Sequence, residues 1–103
     1  MHADPRRDVD DAQSRYAERL HVEPDRGDPV VRHVMLDAQR LGQLVHQGDD
    51  EWALLYLVDG EYRDSLNYLQ ATLEHVEEAD RHGVGWVADA LARGELRADG
   101  GER

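Results

Sequence analysis

DDEWALLYLVDGEYRDSL, residues 49–66, is the stretch whose reading decides the fold. Its centre, WALLYLV at 52–58, is an unbroken apolar run that ends at Asp59-Gly60. A run of this kind suits either a buried helix or a strand that turns at Asp-Gly. The acids before it, Asp49, Asp50 and Glu51, suit a helix N-terminus, with Asp49 or Asp50 as the cap. The following EYRDSL lacks strand alternation, and nothing obvious offers to pair with it. The helical reading is therefore the expectation, with Asp59-Gly60 as a break or kink.

Upstream, PVVRHVMLDAQRLGQLVHQ at 29–47 places Val31, Val34, Ala38, Leu41 and Val45 at alternating spacings of three and four. That is the stripe of a helix packed on a neighbour. Asp28 and Pro29 supply a start signal, and Gly48 a stop. Downstream, Tyr62, Leu66, Leu69, Leu73 and Val76 repeat the spacing over 61–82, and Gly83 ends the run. Short helices are expected at about 8–21 and 84–93, with a linker, EPDRGDP, at 23–29.

The expected fold is thus all-α: a small helical bundle built on an antiparallel hairpin of two longer helices, about 29–47 and 61–82, with short flanking helices. Residues 1–7 read as a leader, 8–93 as a single helical domain and 94–103 as a glycine-rich, charged tail.

Composition narrows the function classes. The chain has 103 residues, enough for one modest core. It holds no cysteine, which excludes disulfides, thiolate metal sites and thiol catalysis. No apolar run reaches the ~18 residues of a membrane span, and no signal-peptide core is present, so a cytoplasmic setting is expected. Every base is arginine, and usage is rich in Ala, Val, Leu, Gly and Asp, which fits GC-rich bacterial or phage coding. The net charge of −11 opposes direct binding to nucleic acid or anionic lipid and suits a basic protein partner.

Three constellations stand out. His75, Glu78 and His82 share one helical stripe, but the expected register turns it away from the core and from other ligands, so it is a weak metal candidate. Glu74, Glu77, Glu78 and Asp80 crowd what reads as a helix C-terminus, where the macrodipole disfavours acids by ~0.3–1 kcal/mol each. Arg32, at the facing helix start, is their expected clasp partner, and an external basic docking partner is the alternative. Finally, there is more apolar surface than one helix face can bury: Leu36, Trp52, Leu54, Tyr56 and Leu57 are the interface candidates.

No phosphate loop, nucleophile constellation or cofactor motif appears, so no catalytic residue and no cofactor is assigned. The expectation is a non-enzymatic protein-interaction or regulatory module, self-associating as a homodimer, with an acidic surface open to a basic protein. An acidic inhibitor that mimics DNA is the alternative, and a His/carboxylate metal-binding helical protein the third reading.

Overall fold

The computed structural model describes residues 15–97. The expected leader, the first part of the 8–21 helix and the last six tail residues lie outside the described residues. Residues 15–19 are helical (α1). Five strands follow: β1 Leu20–Pro24, β2 Val31–Leu36, β3 Gln39–His46, β4 Glu51–Val58 and β5 Glu61–Gln70. A short 3-10 turn at Leu73–His75 leads into one long helix, α2, at Val76–Ala92. The strands form one antiparallel sheet in sequence order, β1-β2-β3-β4-β5.

The all-α bundle is therefore overturned. The first expected long helix, 29–47, folds as β2 and β3; the second, 61–82, is β5 up to Gln70 and helical only from Val76, where α2 begins and runs on through most of the expected short helix at 84–93. Residues 52–58 are strand, paired Trp52↔Leu69, Leu57↔Tyr62 and Val58↔Glu61 across the Asp59-Gly60 turn. Asp59 (φ 53°) and Gly60 (φ 83°) both take left-handed backbone, which a two-residue hairpin of type I′ requires. The two-residue Asp37-Ala38 turn from β2 to β3 has left-handed backbone at Asp37 alone, φ 54°.

The helical stripe misled because both faces of these strands carry apolar side chains. In β2, Arg32, Val34 and Leu36 point one way and Val31, His33 and Met35 the other. A strand apolar on both faces shows no period of two, so its residues satisfy a three-four template by accident. Asp28 illustrates the same ambiguity at the level of a single residue. Its carboxylate accepts the Val30 N–H at 3.1 Å, an Asx turn built from the chemistry that caps a helix elsewhere.

Helix α2 lies on one face of the sheet. Leu20, Val34, Leu36, Leu44, Trp52 and Leu54 meet Ala79, Val87, Ala88, Ala90 and Leu91 in a continuous core. Burial of each large member contributes about 1.5–3 kcal/mol. Gly83, expected as a helix stop, sits in the middle of α2, where a Cβ would come within 2.8 Å of Leu44 Cδ1. Glycine in a helix interior costs about 1 kcal/mol, less than the packing that this close approach permits. The helix ends instead at Gly94, whose φ of 78° reverses the chain and lets the Glu95 N–H reach Ala90 O at 2.9 Å. Leu96, inside the expected tail, is 5% exposed and joins the core.

The charge anomaly disappears with the corrected boundaries. Glu77 and Glu78 occupy the first turn of α2, not the last turn of a preceding helix. There the positive end of the macrodipole favours them.

Candidate functional site

The sheet has two faces and α2 covers one. The strand register shows what lies on the other. Ala53, Leu55 and Leu57 of β4 stand beside Val45 and Gln43 of β3 and beside Tyr68, Asp64 and Tyr62 of β5. Met35, His33 and Val31 of β2 continue the surface, followed by His21 and Glu23 of β1. Among the described residues, no helix packs over this side, and the β1–β2 loop reaches only its margin, where Asp25 meets His33. Of its central side chains, Ala53 is buried and Met35, Gln43, Val45, Leu55 and Leu57 are half-covered by their own sheet neighbours, while Tyr62 and Tyr68 remain 37% and 45% exposed.

Charge is confined mainly to the margins of this face. Near β1, His21 pairs with Glu23 at 2.8 Å, and His33 Nε2 meets Asp25 Oδ1 at 2.9 Å. The hydrogen bond with His33, helped by the Gly27 and Asp28 N–H groups, holds the Asp25 carboxyl below its ordinary range. On β5, Tyr68 donates its hydroxyl hydrogen to Asp64 Oδ2 at 2.6 Å. That bond, helped by the Leu66 N–H, lowers the Asp64 pKa, and the same bond, with desolvation, raises that of Tyr68.

Strand β5 is irregular in the middle. Leu54 pairs with Asn67 and Leu55 with Asp64, so Ser65 and Leu66 are extra residues in a bulge. Ser65 donates its hydroxyl to Leu54 O at 2.6 Å, and Asp64 Oδ1 accepts the Leu66 N–H at 2.8 Å. These bonds hold Leu66 at φ 66°, a strained conformation for leucine, with its side chain 77% exposed. The bulge interrupts the edge ladder, and β1 at the opposite edge is only five residues long and ends in Pro24. Both devices discourage pairing at the sheet edges.

The interface candidates from the sequence divide between the two sides. Leu36, Trp52 and Leu54 are 3%, 0% and 0% exposed in the helix-side core, and so are removed from any surface. Tyr56 also lies on the helix side; burial, and then the charges of Glu95 and Asp89, raise its hydroxyl pKa. Leu57 alone of the five belongs to the open face. Leu55, Met35, Val45, Tyr62 and Tyr68 were missed, although the apolar residues at both parities of WALLYLV carried the signal.

Among the acidic candidates, Asp80 and Arg32 come together in a bidentate pair, Nε to Oδ1 at 2.5 Å and Nη2 to Oδ2 at 2.7 Å. The pair joins α2 to β2. Glu74, Glu77 and Glu78 stay exposed. The metal candidates do not converge: His75 Nδ1 lies 2.9 Å from Thr72 Oγ1, and His82 tilts against Trp86 at 5.6 Å. No group of three potential ligands capable of holding a metal occurs among the described residues.

Protein families, curated proteins and solved structures yield no match to this chain. The site therefore rests on its own geometry: a sheet face with an apolar, partly aromatic centre, charged margins and guarded edges. Among the described residues, no helix is long and apolar enough to cross a membrane.

Proposed function

We propose that this chain is a non-enzymatic protein-interaction module and that the helix-free sheet face is its docking surface. The observation that carries the reading is the sidedness of β4. Leu55 and Leu57 face away from α2, next to the exposed rings of Tyr62 and Tyr68. Apolar patches of this extent on small proteins are commonly interaction sites, and tyrosine is enriched at interface centres. The proposed setting is the cytoplasm, which a cysteine-free chain suits.

An acidic mimic of nucleic acid is less well supported. Some acids are engaged by arginines, as in Arg19–Asp37 and Arg32–Asp80, and so are not free to imitate a phosphate backbone. The middle of the open face has little charge with which to attract a basic partner.

The test is site-specific photocrosslinking in cells, with the reactive side chain at position 57 and, as control, at exposed position 78. A discrete crosslinked protein from position 57 and none from position 78 is the expected result. No product from position 57, with the protein folded and abundant, overturns the reading.

A further inference from the structure

The docking face has a shape, a charge and an area that together specify its occupant. We infer that it is a second copy of the same chain, packed sheet against sheet about a two-fold axis. This inference rests on the open face being a docking surface.

Area comes first. Four strands at about 4.8 Å spacing, each presenting six to eight residues at about 3.3 Å, project an area on the order of 400–500 Å² per copy. Two such faces reach the low end of specific interfaces once side-chain relief and the protruding Leu66 are added. Alignment is straightforward, because twisted antiparallel sheets stack about 10 Å apart with strands rotated by roughly 30°. A two-fold axis near β4 sets Leu55 and Leu57 of each copy against the apolar centre of the other.

Charge decides between a copy and a foreign protein. A basic partner requires a cluster of acids in the contact, yet the middle of the face holds Met35, Gln43, Val45, Ala53, Leu55 and Leu57, and the charges at its ends, Arg40 beside Met35 and Glu51 at the start of β4, are of opposite sign. Asp64 is the acid nearest to it, and its carboxylate is already bonded to Tyr68 and the Leu66 N–H. A surface of this kind is complementary to itself, and a two-fold contact uses it on both sides. Growth beyond a dimer is blocked because α2 covers the reverse side of each sheet and both edges are guarded.

The dimer therefore has an unusual salt signature. Each copy carries a net charge of −11, so long-range repulsion opposes the contact while its apolar centre favours it. Added salt screens the repulsion and strengthens association, whereas docking of a basic protein onto an acidic chain weakens with salt.

Sedimentation equilibrium of the purified chain in 0.05, 0.15 and 0.5 M salt tests this. The expected result is a monomer–dimer equilibrium whose Kd falls at least threefold from lowest to highest salt. Leu57→Lys raises Kd at least tenfold with an unchanged circular-dichroism spectrum. Tyr62→Lys, at a more exposed position, raises it in the same direction and serves if Leu57→Lys fails to fold. A monomer at all three salt concentrations up to several hundred micromolar overturns the second copy. So does a dimer that neither substitution weakens. If position 57 still crosslinks a protein of different mass, the docking face survives and only its occupant is wrong. If position 57 crosslinks nothing, both fall.

Discussion

Arg32 on β2 and Asp80 on α2 form the bidentate ion pair that ties the helix to the sheet, and their side chains are only 18% and 21% exposed. The pair lies at the margin of the core, on the same strand face as Val34 and Leu36. Charge-assisted hydrogen bonds in partly covered positions contribute about 1.5–3 kcal/mol each when broken singly. Asp80→Asn and Arg32→Met are each expected to lower unfolding free energy by about 1–3 kcal/mol in urea titrations, with the double variant losing less than the sum. Additive losses would mean that the two groups do not act as a pair.

Two glycines of α2 make a sharper pair of tests. Gly83→Ala adds a Cβ that meets Leu44 Cδ1 at 2.8 Å, whereas a Cβ at Gly85 meets nothing within 4 Å. The first substitution is expected to destabilise by about 1–3 kcal/mol through overpacking. The second is expected to stabilise by about 0.5–1 kcal/mol, because alanine gives up less backbone freedom in a helix. Adding Leu44→Val to Gly83→Ala should recover part of the loss. Equal effects at the two positions would contradict the close approach of helix and sheet.

Neighbouring leucines of β4 report which face is internal. Leu54 is 0% exposed under α2, and Leu54→Ala is expected to cost about 2–5 kcal/mol in chemical denaturation. Leu57→Lys, on the open face, is expected to shift the stability of the dilute monomer by less than about 1 kcal/mol. A large loss from Leu57→Lys at nanomolar concentration would place that residue inside the monomer's own core.

The hydrogen bond between Asp64 and Tyr68 gives a pH signature. A depressed Asp64 pKa means stability that is present above the ordinary aspartate value, about 3.9, and lost as pH falls through the folded value. A raised Tyr68 pKa means stability that is present below about 10 and lost as pH climbs through the folded value. NMR titration should place the Asp64 carboxyl below other exposed aspartates. In Tyr68→Phe it should move only part of the way back, since the Leu66 N–H still binds it. No movement would show that the bond does not set this titration.

Local chemistry in this sequence was often legible where its larger assembly was not. Asp59-Gly60 carried a hairpin signal, and the excess of apolar residues in 52–58 marked a surface beyond one core. What hid the sheet is the second apolar face itself. Leu55 and Leu57 fill the positions where polar residues would have exposed a period of two in β4. In β5, the Ser65-Leu66 bulge shifts the phase halfway along, so EYRDSLNYLQ alternates in neither register throughout. Gly83 was ambiguous for a different reason: a helix stop and a tight helix–sheet contact both call for the smallest residue. Opposite charge alone links Arg32 and Asp80 in the sequence, because an ion pair needs only proximity. Which elements brought them together depended on the strands.

The central claim is that the face turned away from α2 buries itself against its own copy. The most direct measurement is an isotope-filtered NOE experiment on a mixture of labelled and unlabelled chain at high salt. Intermolecular contacts are predicted among the methyl groups of Leu55, Leu57, Val45 and Met35 and the rings of Tyr62 and Tyr68. Intermolecular contacts confined to α2 or to the sheet edges, or none at a concentration where the chain is dimeric, would contradict the claim.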